Sequence, residues 1–105
     1  MTESEFNALV DKTLAGIETA LEVCGLDLDF ETASGILEIE FGDGSKVIVN
    51  RQTPNREIWV AAKSGGFHFR RDGNAWLDTR GGKPLHELLD EVVSKQAGVS
   101  AGLRF

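Results

Sequence analysis

One cysteine, two prolines, no tyrosine and a scarcity of cations in the first 45 positions limit what this 105-residue chain can be. A lone thiol at Cys24 permits no internal disulfide, and it cannot by itself hold an iron–sulfur cluster or a structural zinc, which need several thiolate or imidazole ligands. A bound metal would therefore have to meet carboxylates. No stretch approaches the ~18 apolar residues of a membrane span, and acids stand at the N-terminus where a signal peptide carries basic and then apolar residues, so a cytoplasmic protein without a membrane partner is expected. Lys12 is the only cation among residues 1–45, against eleven acids, a net −10. Residues 46–105 hold six acids against ten bases, a net +4, so the overall −6 conceals a polarised molecule. An acidic balance opposes nucleic-acid binding, which draws its affinity from Lys and Arg on phosphates, and it attracts cations or a basic partner to one side.

What is present suits one small core. The length and a 41% hydrophobic content predict a single domain over residues 1–105. Phe6, Leu9, Val10, Leu14, Ile17, Leu21 and Cys24 recur at the spacing of one helical face, which predicts a long amphipathic helix with Ser4 as N-cap, ending near Gly25. At roughly 100° per residue, Asp11, Glu18 and Glu22 fall within about 40° of one another, away from that stripe. Leu28 and Phe30 then alternate with Asp27, Asp29 and Glu31, a strand pattern that prolongs the acidic edge. Segments 36–41, 46–52, 57–63, 66–71 and 75–79 read as an antiparallel meander, and Leu85, Leu88, Leu89, Val92 and Val93 as a second helix opened by Pro84 and closed at Gly98. The expected fold is a two-layer α+β sandwich, with both terminal helices on one face of an antiparallel sheet of five to six strands.

The opposite sheet face is expected to display Ile48, Asn50, Gln52, Trp59, Ala61, His68 and Arg70, a large aromatic among polar groups, which is the composition of a binding hot spot. Other signals carry less. Asp27, Asp29, Glu31 and Glu38 occupy positions 1, 3, 5 and 12 of a calcium-loop pattern, but Thr32 stands where glycine is needed and a strand follows where a helix should. His68 and His86 lack a second histidine at ligand spacing, Cys24 and Trp76 read as packing residues, and Gly81-Gly82-Lys83-Pro84 lacks phosphate-loop spacing. No nucleophile, base and orienting acid can be assembled, which argues against hydrolytic catalysis.

The string Asn50-Arg51-Gln52-Thr53-Pro54-Asn55-Arg56-Glu57-Ile58-Trp59-Val60-Ala61, followed by Gly65-Gly66-Phe67-His68-Phe69, resembles the signature of the frataxin family, most closely its bacterial branch. The likeness extends over essentially the whole chain, from the opening Ser4-Glu5-Phe6 helix through Gly44-Ser45-Lys46 to the closing helix. It implies weak binding of ferrous or ferric iron along an acidic ridge, here Asp11, Glu18, Glu22, Asp27, Asp29 and Glu31. It also implies regulation of iron–sulfur cluster assembly through contact with a cysteine desulfurase, for which the same ridge supplies the candidates, Asp11, Glu18 and Glu22 foremost, with Asp27, Asp29 and Glu31. Asn50, Gln52 and Trp59 would engage a further component, the iron–sulfur scaffold protein. Exposed carboxylates suit such a task, since they accept both iron states without enforcing one geometry and release the ion readily. A monomer is expected, with an iron-dependent oligomer as its alternative state. The competing reading is an enzyme-like one, a ferroxidase that oxidises ferrous iron and mineralises it in an oligomer. Relatives carry further acids at the end of the first helix, where this chain has Val23, Cys24, Gly25 and Leu26, and that implies a lower iron capacity.

Overall fold

The computed structural model describes residues 1–105 and places helix α1 at Glu3–Val23, strands β1 Asp29–Ala33, β2 Ile36–Glu40, β3 Lys46–Gln52, β4 Glu57–Ala62, β5 Gly65–Asp72 and β6 Ala75–Asp78, and helix α2 at Leu85–Ala97. The six strands form one antiparallel sheet in chain order. Short links make this order the economical one, because turns of two to five residues join antiparallel neighbours and are too short for a parallel crossover. The two-layer α+β sandwich expected from the sequence is present, with six strands.

The start of α1 differs from expectation. Thr2, not Ser4, is the N-cap: its hydroxyl accepts from Glu5 N at 3.1 Å while the Glu5 carboxylate accepts from Thr2 N at 2.9 Å. Glu5 stands three residues after Thr2, the spacing a capping box requires, whereas Ser4 has no partner at that spacing and is absorbed into the first turn. Cys24 closes the helix and is half-buried, its thiol donating to the Leu21 carbonyl at 3.2 Å. The first strand also shifts. It begins at Asp29, so Asp27 lies in the connection from α1, and the strand runs two residues beyond Glu31 into a Ser34-Gly35 turn. Ser34 and Gly35 both have positive φ (54° and 77°), the geometry of the two-residue turn that matches strand twist.

Twenty-two buried apolar residues form one core. The sheet supplies Leu37, Ile39, Val47, Val49, Ile58, Val60 and Phe69 from its inner face; the helices supply Phe6, Val10, Leu14, Ile17, Leu88, Leu89 and Val93. Trp76 is buried as expected, edge-on to Phe6 with its Nε1–H donating to Thr13 Oγ1 at 3.0 Å. Two remote turns and helix α2 are tied together at one end of the sandwich. Asp43 accepts from Lys63 Nζ at 2.7 Å and from Ser45, and Gln96 of α2 bridges Ser45 and the Lys63 backbone. The Lys63 and Ser45 bonds hold the Asp43 carboxyl far below its usual range.

Candidate functional site: an acidic flank and a tryptophan face

Strand register decides which outward side chains meet. Directly opposed residues share a face, so the pairings Ile36↔Asn50, Asn50↔Trp59 and Trp59↔His68 make one row across β2 to β5. The pairings Gln52↔Glu57 and Glu57↔Arg70 make the next. Trp59 is half-buried and stacked on the His68 ring, with centroids 4.2 Å apart and planes 9° from parallel. A shallow groove beside it is bordered by Ala33, Ile36, Ile48, Asn50 and His68. Asn50, Gln52 and Trp59 thus share the outward face that alternation assigned to them.

Glu57 escaped sequence reading. Its side chain is only 6% exposed although it points away from the core. It accepts from Trp59 Nε1 at 2.8 Å and from Arg70 Nη2 at 2.7 Å, with His68 Nδ1 3.9 Å away. Burial pushes the Glu57 carboxyl up, but the Trp59 and Arg70 hydrogen bonds, with the nearby Arg70 and His68 charges, outweigh it and leave the carboxyl below the ordinary 4.5. A carboxylate two residues before Trp59 in a strand must share its face; that alternation was the available signal.

The acidic candidates fall into two sets. On α1, Thr13 reaches Trp76 of β6 from one side, while Asn7 and Asp11 reach Arg51 of β3 from the other. Glu18 and Glu22, seven and eleven residues past Asp11, lie on that second flank. The sequence reading placed all three away from the apolar stripe, facing water; Asp11 and Glu22 are exposed, and the reading needs correction only in the Asp11 pairing and in Glu18. Asp11 is ion-paired with Arg51, and Glu18 is half-buried, because the three lie beside the stripe and not opposite it. Glu22, Asp27, Asp29 and Glu31 are exposed, and neither they nor Glu18 forms an ion pair.

In the sheet, Asp29 stands opposite Glu40 and Glu31 opposite Glu38. Glu31, Glu38, Ile48 and Ala61 share a row, so these acids lie on the same outer face as Trp59. Glu38 and Glu40 were missed, although their alternation with Leu37 and Ile39 marks them as outward. Like charges directly opposite one another are destabilising, and Lys46, 3.3 Å from Glu38 and opposite Glu40, is the one cation among them. No three His, Cys, Asp or Glu side chains converge into a preformed metal site. No helix is long and apolar enough to cross a membrane.

A helix pair packed on a six-stranded antiparallel meander, with an outward Trp on the fourth strand and acids on the first helix and first strand, is the architecture of a frataxin-like domain. The sequence model of that domain matches residues 1–99, and the chain belongs to the frataxin-like family. It is 57% identical to the iron-sulfur cluster assembly protein CyaY of Dechloromonas aromatica, over 99% of this chain and 100% of that one. It is 50% identical to the protein of the same name from Bordetella parapertussis, over 99% of each. Among solved structures, frataxin from Psychromonas ingrahamii superposes with a TM-score of 0.91 at 32% identity, covering 96% of both chains. Trimeric frataxin from Saccharomyces cerevisiae, complexed with ferrous iron, superposes with a TM-score of 0.69 at 28% identity, covering 93% of this chain and 88% of that one.

Proposed function

We propose that this chain is a non-catalytic, iron-binding regulator of cytoplasmic iron–sulfur cluster assembly. It docks on a cysteine desulfurase through the acidic flank and on the scaffold protein through the Trp59 face. The relatives named for cluster assembly at 57% and 50% identity support the process, and the ferrous complex of yeast frataxin supports iron as ligand. One observation carries the mechanism: the fold keeps Asp29 opposite Glu40 and Glu31 opposite Glu38 with a single lysine to relieve them. Such pairs cost stability, and a bound cation or a basic partner surface offsets that cost.

Iron, ferrous or ferric, is held loosely by Glu18, Glu22, Asp27, Asp29 and Glu31. Asp11 contributes less, since Arg51 already occupies one of its oxygens. Glu18 and Glu22 meet cationic side chains of the desulfurase, and the unpaired state of both supports that role. Asn50 and Gln52 offer hydrogen bonds to the scaffold protein and Trp59 offers apolar contact. The test is an anaerobic ferrous titration of isotope-labelled protein followed through backbone amides. Perturbation confined to residues 18–31 and 38–40 is expected; perturbation spread over the sheet and α2, or none, overturns the assignment.

A further inference from the structure

Trp59 is less available than its place on the surface suggests, because two of its binding features are already in use. The indole Nε1–H donates to Glu57 Oε1 at 2.8 Å, and one ring face lies flat against His68 at 4.2 Å. The other Glu57 oxygen accepts from Arg70 Nη2 at 2.7 Å. Glu57 is 6% exposed and Arg70 67%, so the carboxylate lies beneath and the guanidinium forms its solvent-facing rim. A carboxylate withdrawn from water on the outer face of a sheet is tolerable only when its oxygens are satisfied, and here the satisfying groups are the Trp59 indole and the Arg70 guanidinium.

We infer that Glu57 is a positioning residue for the Trp59 face: it fixes the indole edge and Arg70 in one arrangement before a partner arrives. The inference rests on the reading of this face as the scaffold-protein interface. A free surface tryptophan would lose side-chain freedom on binding, which weakens the affinity. Glu57 meets that cost during folding. The lock also defines what the partner must present. With the N–H used internally and one ring face covered by His68, the partner needs no acceptor for the indole. It brings an apolar side chain to the remaining ring face and the Ile36 and Ile48 wall, and a polar group to Asn50.

The test uses both tryptophan indole N–H resonances of the full chain, with Trp76, bonded to Thr13, as internal reference. In Glu57→Ala the Trp59 resonance shifts and exchanges faster with solvent while that of Trp76 stays in place. Glu57→Gln, which keeps a carbonyl acceptor, retains most of the protection. Affinity for the scaffold protein presented on the desulfurase falls roughly tenfold in Glu57→Ala, recovers in Glu57→Gln, and falls no further when Glu57→Ala is added to Trp59→Ala. An unmoved Trp59 resonance in Glu57→Ala overturns the lock, as does an equal loss of affinity from Glu57→Ala in the Trp59→Ala background. If Trp59→Ala alone leaves affinity unchanged, the interface reading fails, and the resonance measurement then judges the lock independently.

Discussion

Arg51 and Glu57 lie six residues apart in sequence and do opposite things to neighbouring functional side chains. Arg51, on the inner face of β3, binds Asn7 and Asp11 of α1 and withdraws one carboxylate from the acidic flank. Glu57, on the outer face of β4, holds Trp59 and Arg70 in place. Trp59→Ala removes ring area that faces the groove and not the core, so the domain is expected to keep its thermal midpoint within a few degrees while the ternary complex with desulfurase and scaffold protein weakens. Calorimetry and pull-down assays check the two parts, and unfolding of the variant would show Trp59 to be structural. Glu57 adds an acid dependence with a definite sign. Its folded-state pKa lies below the ordinary 4.5, so the stability it contributes is fully present above about 4.5 and is lost as pH falls through the lowered value. Denaturant titrations from pH 6 to 3 are expected to show a shallower acid loss in Glu57→Gln than in the parent chain; identical slopes would refute the coupling.

Elements convert these residues into surfaces. The Thr2 and Glu5 capping box anchors the first turn of α1, and Thr2→Ala is expected to cost about 1 kcal/mol in chemical denaturation. The turn at Ser34-Gly35 is more demanding. Gly35 has φ +77°, and a Cβ there would lie 2.8 Å from Arg51 Nε. Gly35→Ala therefore strains the backbone by about 1–2 kcal/mol and displaces the arginine that holds Asp11. The α1 flank gives a sharper functional prediction. Glu18→Lys with Glu22→Lys is expected to abolish desulfurase binding while the helix content measured by circular dichroism is kept, since neither carboxylate is paired. Adding Asp11→Lys sets a second cation against Arg51 and lowers stability as well, so the triple variant cannot by itself distinguish interface loss from partial unfolding.

At the scale of the molecule, a net −10 over residues 1–45 and +4 over the remainder predicts that the proposed desulfurase contact is electrostatically steered. Its affinity should fall steadily between 50 mM and 500 mM salt, as surface charge is screened beyond about a Debye length; a salt-independent affinity measured by calorimetry would place the interface elsewhere. Ferrous iron turnover offers a second check. Oxygen consumption is expected to match an acidic-peptide control, and an excess lost in Glu18→Gln with Glu22→Gln would favour the ferroxidase reading.

Much of this was legible without coordinates. Helical spacing in residues 6–24 and 85–93 and alternation in residues 27–31 and 36–79 depend only on the 3.6- and 2-residue periods of the backbone, so both helices, all six strands, the first with shifted bounds, and the outward set around Trp59 followed from them. The charge separation is likewise a property of the chain. Tertiary structure decided which charges remain free. Asp11 is neutralised by a residue 40 positions away, Glu38 by Lys46 across a hairpin, and Glu57 is buried by an indole and a guanidinium from two strands. Periodicity tells a side chain which face to occupy, but ion pairing depends on register and on where a helix settles over the sheet, and those are fixed only when the whole core packs.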